Sequence, residues 1–167
     1  MLVYHSAFDM YHCIYRLIQL LSNLKEEYVE LERLRIWDYY LAFPNEMAKI
    51  RYEKGNKDIQ NLFPKKYNPY EAVIDNRIIF EKMKPYQMTA IKTLASYGLI
   101  KKDYLTENRI TKIDKILFDN LLKNYEPLSD REDNIIRIMT SYFYQMPLYG
   151  EKGLKDRTNL LEYRYDA

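Results

Sequence analysis

Cysteine, histidine, glycine and tryptophan are scarce in this sequence, which holds one Cys, two His, four Gly and one Trp in 167 residues. The lone Cys13 rules out an internal disulfide and fits a reducing compartment, read as the cytoplasm. With only His5 and His12 as imidazole ligands, a metal site would need a third and a fourth ligand that the histidine and cysteine inventory does not supply. Few glycines leave no Gly-x-Ser-x-Gly elbow. Gly150, Gly153 and Lys155 also lack the Gly-Lys-Ser/Thr ending that would set a lysine and a hydroxyl on a bound phosphate. No apolar run approaches the ~18 residues of a membrane span, and Met1 to Asp9 lacks a basic segment followed by an apolar one, so neither insertion nor secretion is expected. A formal charge of +2, from 26 basic and 24 acidic residues, is too small for wholesale attraction to a polyanion.

Present in quantity are apolar residues (47%), charged residues (30%) and 18 tyrosines, a composition that folds and can bury one core. Tyrosine pairs a large apolar face with a polar tip and serves wet core edges and interfaces alike. No internal repeat or low-complexity segment is visible. The expectation is a mostly α single compact domain over 1–167, in which a helical hairpin is joined to a winged-helix-like unit with short β-strands and a C-terminal strand docks on the body.

The spacing of Tyr11, Ile14, Tyr15, Ile18 and Leu21 predicts a helix capped by Asp9. A second is predicted from about Glu26 to Ala42, ended at Phe43 by Pro44. Glu53 to Asn68 reads as a long loop. Asn68 and Pro69 open a helix through Ile74, Ile78 and Met83 that Pro85 interrupts, and Pro85 to Tyr97 forms the next, closed at Gly98. Two short strands around a turn at Thr106 to Asn108 would complete a winged-helix order over 68–113. The rival reading places Ile110, Ile113, Ile116 and Leu117 on one helix. Ser129 to Glu132 is a capping box opening a helix that Pro147 closes, and Leu161, Tyr163 and Tyr165 alternate with charges as in a strand.

Candidate sites are few. His5, Asp9 and His12 are the only cluster of ligand type, but Asp9 is already needed as a cap. Glu26, Glu27, Glu30 and Glu32 lie on a polar helix face that lysine and arginine can neutralise. Asp38, enclosed by Ile36, Trp37, Tyr39 and Tyr40, would be partly buried and need a cation, with Arg16 or Arg35 as candidates. Lys101, Lys102, Arg109, Lys112 and Lys115 gather around the expected wing as possible DNA contacts.

Three segments carry a family likeness. Tyr4-His5-Ser6-Ala7-Phe8-Asp9-Met10-Tyr11-His12-Cys13, Arg35-Ile36-Trp37-Asp38-Tyr39-Tyr40-Leu41-Ala42-Phe43-Pro44, and Gly153-Leu154-Lys155-Asp156-Arg157-Thr158 through Glu162-Tyr163-Arg164-Tyr165-Asp166 resemble the middle component of bacterial three-component ABC-ATPase systems. That family includes the accessory subunit of Lamassu-type antiphage defence. The resemblance implies a non-catalytic subunit without cofactor, bridging or regulating a coiled-coil, chromosome-maintenance-like ABC ATPase and a nuclease-like effector, with any DNA met through the complex and no membrane. His5, Asp9, His12, Arg35, Asp38, Arg157 and Arg164 are expected in structural or interface roles, as a polar network joining the hairpin to the C-terminal strand. The alternatives are a free-standing winged-helix DNA-binding regulator and, behind it, an enzyme or metal protein built on His5, Asp9 and His12.

Overall fold

A computed structural model describes residues 4–63 and 75–164. α1 (Met10–Asn23) starts where Asp9 accepts from the His12 amide, as its periodicity and cap predict. It is the central helix, touching α2 (Leu31–Ala42), α4 (Asn76–Ser96), α5 (Lys115–Leu122) and α6 (Asp130–Thr140). Contacts from the first half of α1 to the last half of α2 make the two an antiparallel hairpin. α2 stops at Phe43 before Pro44, which begins a 3-10 segment, Pro44–Lys49. The buried side chains form one hydrophobic cluster around Leu17, Leu34, Trp37, Tyr39, Phe80, Phe118 and Phe143.

The residues expected to begin the second helix instead make a strand. β1 (Tyr28–Glu30) pairs antiparallel with β2 (Arg109–Thr111), with Val29 opposite Ile110. Its ladder partner lies some eighty positions along the chain, and both central residues are fully buried, so a non-local pairing overrides the local helical period. Beyond β2, Lys101 N donates to Thr111 O and Ile113 N to Leu99 O, which lays Leu99–Lys101 along the far side. A 3-10 segment, Lys102–Glu107, links the two. Of the two strands expected around Thr106–Asn108, one forms as β2 and the other is reduced to a single bridge between Ile100 and Lys112, and Ile110 is on β2 while Ile116 and Leu117 are on α5, so Ile110, Ile113, Ile116 and Leu117 share no single helix.

Pro85 does not break a helix: α4 runs through it from Asn76 to Ser96. The ring lies on the solvent face with Glu81, Lys82, Lys84 and Tyr86, so the carbonyl that loses its partner at Glu81 opens toward water. A single helix therefore stands where two were expected between 76 and 96. Its cap is Asp75, and the expected opening at Asn68 and Pro69 lies outside the described residues. Gly98 ends it with φ +73°, as the sequence predicts.

Within the expected loop from Glu53, residues Lys57–Asn61 form a short helix, α3. α6 starts at its Ser129 cap, whose oxygen accepts from Glu132 N, but ends early. Thr140 and Ser141 bond back to the carbonyls of Ile136 and Arg137, and the chain turns at Ser141 before α7 (Tyr142–Gln145). α8 (Leu154–Thr158) follows, closed by Asn159 in the left-handed region. The predicted C-terminal strand is not formed over 161–164. Leu161 and Tyr163 are half-buried and Glu162 and Arg164 exposed, so the alternation of faces holds, but among the described residues no strand pairs with them. Tyr165 lies outside the described residues.

Candidate functional site

The charged group held deepest in the fold is Asp38, with no exposed surface. Arg16 of α1 donates to it through Nε at 2.6 Å and through Nη2 at 3.3 Å, and its remaining Nη reaches Ser6 O at 3.0 Å. Gln87 of α4 donates at 2.9 Å to Oδ2, the oxygen that Arg16 Nη2 also reaches. Cys13 Sγ lies 3.7 Å from that same oxygen. Burial first, and then the Asp38 charge, push the Cys13 thiol well above its ordinary pKa, so it stays protonated and a poor nucleophile. One carboxylate thus joins α1, α2 and α4 through groups that satisfy it on both sides.

Among the described residues Arg35 is hydrogen-bonded to this centre through Gln87, whose side-chain oxygen it reaches at 2.8 Å. Its guanidinium carbon stands 4.5 Å from the Phe80 ring centroid, and its Nη2 is buried without a hydrogen bond. Burial pulls its pKa down. Of the two cations considered for Asp38, Arg16 is the direct partner. Gln87 was not foreseen, although a glutamine set among Met83, Ala90, Ile91 and Leu94 on the apolar face of a helix is a readable signal.

A second polar centre surrounds α8. Lys155, 3% exposed, reaches Glu32 of α2 at 2.7 Å and lies over the Tyr149 ring. Asp156 accepts from Arg51 at 2.5 Å and from the Lys152 amide at 2.8 Å. Arg157 donates to Arg51 O at 2.8 Å, to Lys152 O at 2.7 Å and to Glu53 at 3.2 Å. The Gly-Leu-Lys-Asp-Arg-Thr run is therefore a clamp tying the C-terminal region to α2 and to the chain after Ala48. A polar cavity of about 410 Å³ opens here, lined by Tyr40, Glu46, Arg51, Asp156, Arg157 and Arg164.

The N-terminal cluster is separate again. His5 Nδ1 accepts from Ala7 N and its ring stacks on Phe43 at 4.6 Å. His12 Nδ1 lies 2.9 Å from Tyr4 Oη and 3.0 Å from Asp9. The seven expected polar residues thus fall into three groups: His5, Asp9 and His12 near the chain start, Arg35 and Asp38 in the core, and Arg157 and Arg164 at the clamp. Among the described residues no group of three or more His, Cys, Asp or Glu is placed to hold a metal ion.

The basic set is largely engaged within the chain. Lys112 Nζ donates to Leu24 O at the C-terminal cap of α1, and burial, then Lys115, lower its pKa. Arg109 lies between the rings of Tyr28 and Tyr104 at 4.7 and 4.0 Å, Lys101 pairs with Glu27 at 3.6 Å, and Lys115 faces Asp119 at 3.9 Å. Lys102 is exposed. Arg33, also unforeseen, joins Glu30 to the carbonyls of Phe143 and Met146 at the end of α7.

The tyrosines divide between the core and the surface. Tyr39 and Tyr40 are in the core, whereas Tyr4, Tyr11, Tyr97, Tyr125 and Tyr149 are exposed. The described helices include none long and apolar enough to cross a membrane.

Comparison with known proteins gives one family. No curated protein and no solved structure matches the chain. The family model described as ABC-three component (ABC-3C) system Middle Component 5 matches residues 2–166. With that match running through the capped first helix, the Asp38 centre and the α8 clamp, the chain belongs to the Middle Component 5 family of ABC-three component systems.

Proposed function

We propose that this chain is a non-catalytic accessory subunit that bridges or regulates a coiled-coil ABC-type ATPase and its effector in a bacterial, cytoplasmic antiphage defence complex of the Lamassu kind. The observation that carries the reading is the family match over residues 2–166, which makes the whole chain a middle component. The polar centres agree with it. Asp38, Lys155 and Asp156 are held by internal partners that fix helices to one another, as suits a rigid adaptor presenting its outer faces. Exposed tyrosines such as Tyr11 and Tyr97 are suited to anchoring partners.

Co-purification of the untagged chain with the products of its neighbouring genes, followed by mass spectrometry of the intact assembly, tests the reading. A stable complex containing a large coiled-coil ATPase is the expected result. A chain that elutes alone, with the ATPase and effector assembling without it, would overturn the bridging role.

A further inference from the structure

β1 and Leu99–Lys101 flank β2 from opposite sides: Lys112 N reaches Glu27 O on one, and Lys101 N reaches Thr111 O on the other. Lys102–Glu107 is the turn between Leu99–Lys101 and β2. α1, α2 and α4 each pack on the other two. Along the chain the order is helix, strand, helix, helix, strand, turn, strand, interrupted only between Ala42 and Asp75. The last of the three helices has a distinctive outer face. Because α4 runs unbroken through Pro85, the residues Lys82, Pro85, Thr89, Lys92 and Ser96 recur at spacings of three and four and form one stripe. All five are exposed. α4 carries four basic residues against one acid, a net +3 where the whole chain carries +2. From Lys82 to Lys102 there are five lysines and no carboxylate. Among the described residues Lys101 pairs with Glu27, whereas Lys82, Lys84, Lys92 and Lys102 are exposed and make no ion pair.

We propose that residues 10–112 form a winged-helix unit with α4 as its recognition helix, and that the outer face of α4 binds duplex DNA through the phosphates. In a helix-turn-helix the second helix of the pair enters the major groove; here α2 and α4 are that pair. Lys82 and Lys92 stand about 15 Å apart along the helix axis, comparable with the roughly 12 Å between the phosphate strands that border the major groove. Thr89 and Ser96 add hydroxyls to the same stripe, and Lys102 brings the unneutralised charge to the start of the wing. A protein partner would need an apolar anchor to grip. Between Lys82 and Ser96 the stripe has only Pro85 as an apolar member, with Ile78 a turn ahead of it, so charge and hydroxyls are what it offers. It holds no Arg, Asn or Gln to fork onto base edges, so phosphate contacts dominate and binding depends little on sequence. The inference does not depend on the accessory-subunit reading.

Fluorescence anisotropy of a short labelled DNA duplex of arbitrary sequence, titrated with the full chain, reads the binding directly. At about 50 mM salt a micromolar dissociation constant is expected, with the logarithm of affinity falling against that of salt at a slope of about −3 to −4, as about four phosphate contacts require. Lys82→Glu and Lys92→Glu are each expected to weaken binding about tenfold with an unchanged circular dichroism spectrum, and Lys92→Gln to lower the slope by about one. Lys115→Glu, on α5, is expected to leave affinity within about twofold of wild type. A duplex that stays unbound at about 50 mM salt, binding indifferent to both α4 charge reversals, or an equal loss in Lys115→Glu would each overturn the proposal. So would tighter binding of a single strand of the same length, which would remove the duplex groove from the recognition.

Discussion

Arg16 Nε meets Asp38 Oδ1 at 2.6 Å in a place where the aspartate has no exposed surface and the arginine 7%. Twenty-two positions apart in sequence, the two fix α1 against α2, while Gln87 brings in α4 through the other carboxylate oxygen. A buried pair of this kind specifies geometry more than it adds stability, because both charges were taken from water to form it. Replacing Asp38 with Leu leaves the Arg16 guanidinium buried and unpaired, which is expected to cost about 3–5 kcal/mol. The double variant Arg16→Met/Asp38→Leu is expected to recover most of that. Urea denaturation of the two single variants, the double variant and the wild type gives the coupling energy; Asp38→Leu folding and binding partners as before would dispose of the structural role assigned here.

Local chemistry was legible in the sequence where one residue acts on its near neighbours. The Asp9 and Ser129 caps, the stop at Phe43 before Pro44 and the Gly98 turn all follow from such effects, and the apolar surroundings of Asp38 were enough to call for a cation, though not to choose between Arg16 and Arg35. What stayed hidden depends on distant parts of the chain. Tyr28–Glu30 is a strand because Arg109–Thr111 lies beside it, and Leu161–Arg164 is not one because no strand among the described residues pairs with it. Pro85 is tolerated because it falls on the solvent side of α4, a fact of tertiary placement. Lys155, Lys112 and Arg33 carry no local mark of burial. Each is drawn inward by a carboxylate or a helix-end carbonyl that only the fold supplies.

Cys13 offers a probe of the same centre. The thiol is fully buried, and burial together with the Asp38 charge keeps it protonated. It is expected to resist a thiol-reactive dye in the native protein and to react only through opening of α1 from α2. The labelling rate should therefore follow the denaturant dependence of unfolding. Fast labelling in native buffer, insensitive to denaturant, would show that the α1–α2 seam is open.

The cap of α1 gives the fold an acid limit. The His12 amide, and next the His12 side chain, hold the Asp9 carboxyl down at about 2. Its folded pKa is below the unfolded value, so the ionised form favours the fold. That contribution is complete above about pH 4 and is lost as pH falls through about 2. Asp9→Asn keeps an acceptor for the amide but cannot ionise. The difference in Tm between wild type and this variant is expected to narrow steadily as the pH is lowered from about 5 to about 2. A difference that stays constant over that range would mean the carboxylate charge does not support the cap.

The α8 clamp rests on a close backbone approach at Gly153. A Cβ there would stand 2.9 Å from the Tyr149 carbonyl carbon and 3.0 Å from Pro147 O, and the chain cannot ease away because Leu154 N is bonded to Pro147 O at 2.8 Å and Lys155 N to Leu148 O at 3.2 Å. Gly153→Ala is therefore an overpacking change against backbone, expected to cost about 1–3 kcal/mol and to pull the Leu154 and Lys155 amides off their acceptors. Gly150 is the contrasting case: its φ of +81° is unfavourable for alanine, but nothing lies within 4 Å of a Cβ there. Gly150→Ala is expected to cost about 1–2 kcal/mol of backbone strain without disturbing those two bonds. Amide hydrogen exchange separates the two effects. Protection at Leu154 and Lys155 should fall in Gly153→Ala and persist in Gly150→Ala; equal loss in both would mean that the turn, and not the contact, sets the clamp, whereas no loss in either would remove Gly153 from the argument.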